Sequence, residues 1–239
     1  MAQQSSWPEK PWDEVVDSIS KIIFRIYSGD VLGTGFIVGI GESIDQSINM
    51  ISIATAWHVV KNLPGSSAEI RLVSADQKIS FDSETCSIGF HPLGDEKFDT
   101  CLILINTEKP IFTRKDLMPL FPFDSVIARG GEIAWLGYPG FVEPELCFFQ
   151  GYVSGYLDDP PLYLVDGVAI NGVSGGPAFD SRCHLIGMVS AYLPNRVNER
   201  VTLPGLMAVT PINSIRYFME NVMKAKVLSK QDLMDSTNK

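Results

Sequence analysis

What the sequence lacks narrows the possibilities first. No apolar run approaches the ~18 residues that a membrane-crossing helix requires, so no helical span is expected. Positive charge is scarce: 19 Lys and Arg stand against 28 Asp and Glu, a formal charge of −9. Such a surface repels phosphates over most of its area, and no Lys/Arg cluster offsets it, so no nucleic-acid partner is expected. The cysteines Cys86, Cys101, Cys147 and Cys183 form no CxxC pair, and no Cys/His spacing suits zinc. Four free thiols are the expectation, with no metal; Cys101, inside CLILI, reads as a small buried hydrophobe. The opening MAQQSSWPEKPWDEVVDSIS has neither a basic nor an apolar signal region. With Met1 in place, the expectation is a cytoplasmic protein. Internal repeats and low-complexity tracts are also absent. What remains is a chain of 239 residues, 45% hydrophobic, long enough to bury a core without disulfides or metals.

Short apolar runs recur, each ended by Gly, Pro, Asn or Asp, which predicts an all-β sandwich or barrel. Strands are expected at Ile22–Tyr27, Thr34–Ile40, Met50–Ala54, Glu69–Leu72, Cys86–Phe90 and Cys101–Asn106. A second set is expected at Glu132–Gly137, Cys147–Ser154, Tyr163–Val165, Pro177–Phe179, Leu185–Ala191 and Leu206–Thr210. Between the sets, Lys115–Gly131 carries prolines and little periodicity and reads as a linker. Pro11–Ile19 predicts a helix, with Pro near its start and acidic residues in its first turn. Pro211–Ala225 predicts another, with Thr210 as N-cap and Ile212, Ile215, Phe218, Met219 and Val222 at helical spacing.

Three segments carry reactive side chains at element edges. ISIATAWHVV places His58 after a strand, EKFDTCLILI places Asp99 before one, and NGVSGGPAFD places Ser174 in a glycine-rich turn. A serine hydroxyl is a weak nucleophile and needs a neighbouring base. A histidine can take its proton near neutral pH, and a carboxylate fixes the imidazole tautomer and stabilises the imidazolium. Gly172 and Gly175 permit a sharp turn at positive φ, so the Gly172 and Ser174 amides can face one oxyanion. The G-x-S-x-G pattern also suits an α/β-hydrolase, but that fold orders its triad Ser, acid, His. Here only His184 follows Ser174, ten residues on, which leaves no room for the rest of such a sheet.

GTGFIV (Gly33–Val38), ATAWHVV, FDTCLILI, GEIAWLGYPG (Gly131–Gly140), FFQGYVSGY, GVSGGP and LIGMVSAY follow one another in this order. Together they resemble the trypsin-like serine peptidases, closest to the HtrA-like bacterial branch, over Pro11 to Ile212. The resemblance implies two six-stranded antiparallel β-barrels of chymotrypsin type with short N- and C-terminal helices. Residues 1–20 would form an N-terminal helical segment, 21–114 the first barrel, 115–131 the linker, 132–210 the second barrel and 211–239 the C-terminal helix and tail. It further implies a serine endopeptidase needing no cofactor, with His58, Asp99 and Ser174 catalytic and a peptide or protein as substrate. By the same resemblance Ser190 hydrogen-bonds Asp99, and Ser190, Ala191 and Tyr192 form the edge on which a peptide lies. Val168, six before Ser174, stands at the base of the pocket for the residue preceding the scissile bond (P1), and Asn171 joins the substrate-binding set. The expected P1 preference is therefore small or medium apolar, not Lys or Arg. A monomer or a homotrimer through Trp7 and Trp12 is expected, without a PDZ domain.

Two departures matter. Val173 precedes the nucleophile where digestive proteases have Asp, so activation by pairing a new N-terminus with that Asp cannot operate. The loop Ile170–Gly176 is one residue shorter than I-N-x-G-N-S-G-G, so the expectation is low activity until a partner or substrate orders Asn171–Ser174. The rival readings are a peptide-binding module with little cleavage and an esterase using the same three residues. His91 and His184 read as surface-loop and surface-turn residues.

Overall fold

The runs rich in Val and Ile form strands because branched side chains pack well on a pleated, half-buried surface. The computed structural model describes residues 9–42, 49–61, 70–82, 86–90, 95–123, 125–198 and 201–220. The first unit contains β1 (Ile23–Ser28), β2 (Val31–Glu42), β3 (Asn49–Thr55), β4 (Ile70–Ser74), β5 (Ser80–Asp82), β6 (Cys86–Phe90) and β7 (Cys101–Thr107). They form one antiparallel sheet in the order β5-β4-β1-β2-β3-β7-β6. The second contains β8 (Glu132–Gly137), β9 (Cys147–Asp158), β10 (Pro161–Asp166), β11 (Pro177–Phe179), β12 (Leu185–Asn198) and β13 (Val201–Pro211). These close into a barrel in the order β10-β13-β12-β11-β8-β9.

The all-β, chymotrypsin-like architecture is as expected, and the second barrel has its six strands. The first unit departs in detail: it is a seven-stranded sheet, not a six-stranded barrel. The extra strand, β5, is three residues long and pairs at the edge with Arg71–Val73. So short a run has no readable period. The stretch expected as a linker holds no strand among its described residues, but Leu120 bridges to Leu185 and pins it to the barrel.

Helix α1 (Trp12–Ile19) begins after Pro11, with Asp13 and Glu14 in the first turn complementing its dipole. It buries Val15 and Ile19 in the first core and lays the Trp12 ring 5.6 Å from Phe148 and 6.1 Å from Phe179 of the barrel. The Trp12 ring thus packs within its own chain, and Trp7 lies outside the described residues. Short helices α2 (Trp57–Val60) and α3 (Asp95–Phe98) stand beside the site. Helix α4 occupies 212–220, with Ile215 and Phe218 fully buried; the rest of its expected span lies outside the described residues. The barrel interior is filled by Ile133, Trp135, Val165, Val173 and Met207, and Phe149 stacks on Trp135 at 5.9 Å.

Candidate active site

His58 owes its position to its neighbours. In α2, Val59 and Val60 are buried, which leaves the His58 side chain facing outward and 40% exposed. Strand β2 passes so close that a Cβ on Gly33 would stand 2.4 Å from Val59, so α2 is held against the sheet. Thr55, at the end of β3, donates its hydroxyl to the Thr34 carbonyl at 2.8 Å.

Asp99 arrives through the sheet register. Cys101 at the start of β7 pairs with Thr55 at the end of β3, which brings Asp99 beside α2. Its φ of +45 is left-handed, a region Asp tolerates better than most non-glycine residues. The His58 Nδ1–H donates to the carboxylate, with Oδ2 at 2.8 Å and Oδ1 at 3.0 Å. The His58 amide also donates to Oδ1 at 3.0 Å, and the Trp57 amide donates to the Asp99 carbonyl at 3.1 Å. One carboxylate therefore holds both ring and main chain, leaving Nε2 as the basic nitrogen.

Ser174 lies in the turn between β10 and β11, where Gly172 and Gly175 have φ of +96 and +88. Alanine fits at neither: a Cβ would stand 2.2 Å from the Tyr138 carbonyl and 2.0 Å from the Thr34 carbonyl respectively. The loop amides divide cleanly. Val173 donates to the Ile170 carbonyl at 2.9 Å, Gly175 to Val189 at 2.7 Å and Gly176 to Val173 at 3.0 Å. The Gly172 and Ser174 amides have no acceptor among the described residues. These are the two donors expected for an oxyanion hole.

His58, Ala169, Ile170, Asn171, Ser174, Ser190 and Ala191 line one cleft of about 410 Å³, with Asp99 behind His58. Among the described residues no hydrogen bond joins Ser174 Oγ to His58, a contact often loose before substrate binds. Val168 is 56% exposed and lines an adjoining hollow of about 510 Å³ with Asp166, Gly167, Ala169, Ile170, Asn171 and Gly205. The Tyr192 side chain lies outside the described residues; its backbone pairs with Met207. Past Met188, β12 keeps β13 on one side, while β11 has ended on the other.

Two expectations are corrected. The Ser190 hydroxyl donates to the Ala208 carbonyl at 3.3 Å, not to Asp99. The register shifts between Val189 and Ala191, and that irregularity sets where Ser190 points. His184 is not a surface residue but 5% exposed. Cys183 at φ +65 closes the turn, and Asp180 accepts from His184 Nδ1 at 2.9 Å and from the His184 amide at 2.8 Å. His91 lies outside the described residues. Cys147 Sγ donates to the Glu145 carbonyl at 3.9 Å and Cys183 Sγ lies 3.9 Å from Ser18 Oγ, and neither forms a disulfide among the described residues. The sequence reading missed Thr34, whose hydroxyl donates to the Gly172 carbonyl at 2.7 Å and accepts from the Tyr138 amide at 3.0 Å. Its signal was a hydroxyl between two glycines in GTGF. Burial pushes the Tyr138 phenol well above its ordinary range.

An antiparallel sheet and a closed antiparallel barrel, with a cleft walled by both, define the chymotrypsin-like class of fold. The sequence places the chain within it: the trypsin-like peptidase domain matches residues 33–188, more than half the chain. The chain belongs to that family and so to the serine protease class of hydrolases. Among solved structures, a serine endoprotease from Yersinia pestis superposes with a TM-score of 0.65 over 90% of this chain and 67% of its own. At 17% identity that likeness is one of fold. No curated protein matches the sequence significantly.

Proposed function

We propose that the protein is a serine endopeptidase working through His58, Asp99 and Ser174. The observation that carries this reading is the Asp99–His58 pair and Ser174 on one cleft, beside the unpaired Gly172 and Ser174 amides. Ser174 Oγ attacks the scissile carbonyl while His58 Nε2 takes its proton. The oxyanion accepts from the two amides, and the imidazolium is stabilised by Asp99. His58 then protonates the leaving amine, and an acyl-enzyme remains on Ser174. Water, deprotonated by His58, releases the acid and restores the hydroxyl.

A peptide would lie along the open side of β12 at Ser190–Tyr192, adding a strand. The hollow bordered by Val168, Ala169 and Ile170 supports a small or medium apolar P1 residue. Among the described residues lining it, the one carboxylate is Asp166, which is exposed and offers a screened charge only. Activity stays low until a partner or substrate orders Asn171–Ser174, a reading supported by Val173 in place of Asp and by the shortened Ile170–Gly176 loop.

Cleavage profiling of a peptide library and a proteome, against Ser174→Ala, tests the reading. The expected result is endoproteolysis abolished by Ser174→Ala, with apolar P1 residues. Arg and Lys at P1 would overturn the specificity. Peptide binding without cleavage would make this a binding module, and turnover of esters alone an esterase.

A further inference from the structure

The 171–174 turn has to keep its amides inward against a low-cost alternative. Glycine populates both signs of φ, so a peptide plane beside Gly172 can flip and present a carbonyl where an amide is needed. Val173 has no charge with which to anchor the loop; it is fully buried in the barrel core instead. What fixes each plane is therefore the donor that holds its carbonyl.

Those donors can be named one by one. The Asn171 carbonyl accepts from the Gly140 amide at 2.9 Å, and the Val173 carbonyl from the Gly176 amide at 3.0 Å. The donors to the other two carbonyls belong to a single residue of the opposite unit. The Gly172 carbonyl accepts from Thr34 Oγ1 at 2.7 Å, and the Ser174 carbonyl from the Thr34 amide at 2.8 Å. Thr34 is fully buried. Its hydroxyl accepts from the Tyr138 amide at 3.0 Å, so its lone proton is directed to Gly172. Its carbonyl accepts from Thr55 Oγ1 at 2.8 Å, at the end of the strand that leads to His58.

We propose that Thr34 is the positioning residue of the oxyanion hole: its hydroxyl, through the Gly172 carbonyl, fixes the Gly172–Val173 peptide plane, and its amide, through the Ser174 carbonyl, fixes the Ser174–Gly175 plane. The amide-bearing planes are oriented by Gly140 and Gly176, while Thr34 holds in place the two residues, Gly172 and Ser174, whose amides face the developing oxyanion. This rests on the reading of Ser174 as nucleophile. Thr34 touches neither substrate nor reacting atoms. It acts by holding both sides of the catalytic loop from the sheet that carries His58, a task an ion pair to an Asp at 173 would otherwise perform. The hole is then assembled without a processed N-terminus.

The test compares wild type, Thr34→Val, Thr34→Ser and Ser174→Ala. Each is assayed on a peptide that wild type cleaves, and for binding of a peptide aldehyde and the matching peptide alcohol. Ser174 Oγ adds to the aldehyde carbonyl, its proton passing through His58, to give a hemiacetal whose oxygen occupies the hole; the alcohol forms no adduct. Losing one oxyanion donor outright costs ~10²–10³ in rate, and misplacing it should cost about 10–100-fold. Thr34→Val is expected to lower kcat by about that factor with KM within ~3-fold, and to weaken the aldehyde in parallel while sparing the alcohol. Thr34→Ser, which restores the hydroxyl, is expected within ~3-fold of wild type. Unchanged kcat in Thr34→Val, or equal weakening of aldehyde and alcohol, would overturn the proposal. If Thr34→Val does not fold, Thr34→Ala is read by the same criteria. Failure of wild type itself to cleave would bring down the peptidase reading and this inference together; normal wild type with normal Thr34→Val would sink the inference alone.

Discussion

Asp99 combines left-handed backbone with a carboxylate that holds both the ring and the amide of His58. Asparagine there would keep the shape but favour the wrong imidazole tautomer. Asp99→Asn is expected to lower kcat by roughly 10⁴ with little change in melting temperature, measured on the same peptide. Val173 gives the opposite result. Its side chain is buried among Ile133, Trp135 and Val189, so Val173→Asp places an unpaired carboxylate in the barrel. Denaturant unfolding is expected to show a loss of at least ~3 kcal/mol, and no gain in activity on any N-terminal trimming. Placement that depends on chain order was legible: a His after a strand, an Asp before one, a Ser among glycines. Roles set by hydroxyl direction were not. Ser190 bonds Ala208 because of a register shift, and His184 is buried because Cys183 adopts positive φ.

At the scale of elements, strands bounded by turn residues were readable from sequence: Cys86–Phe90, Glu132–Gly137 and Pro177–Phe179 have their expected limits. Strands extended by pairing were not. β9 and β12 run on to Asp158 and Asn198 because hairpin partners continue the ladder past the last apolar run. The contact of β2 with α2 makes a sharper claim. A methyl on Gly33 would meet both Val59 methyl groups, at 2.4 and 2.7 Å, and Val59 adjoins His58. Gly33→Ala is expected to cut kcat at least ~10-fold while the fold survives. Full activity with unchanged circular dichroism would show that α2 can shift without moving His58. The phenol of Tyr138, whose amide donates to Thr34 of the same strand, is neutral and buried in the first core. Its folded pKa is raised, so its contribution to stability is complete below the ordinary phenol value of ~10 and is lost as pH rises beyond it. Urea midpoints from pH 8 to 11 should fall only at the alkaline end, and less in Tyr138→Phe.

Across the molecule, the two units meet at the cleft lined by His58 and Ser174 and under α1. The Trp12 ring lies against Phe148 and Phe179 of the barrel while Val15 and Ile19 enter the other core. Trp12→Ala is expected to cost about 1–3 kcal/mol in thermal unfolding and to leave the sedimentation coefficient unchanged. A shift in oligomeric state would instead assign the ring to a contact between copies. Convergence of the two units on one reaction is most directly read by a fluorophosphonate, which couples only to an activated serine. Mass mapping of the labelled wild type is expected to find a single adduct at Ser174, formed at least ~10³-fold more slowly in His58→Ala. Labelling elsewhere, or at equal rates with and without His58, would contradict the account.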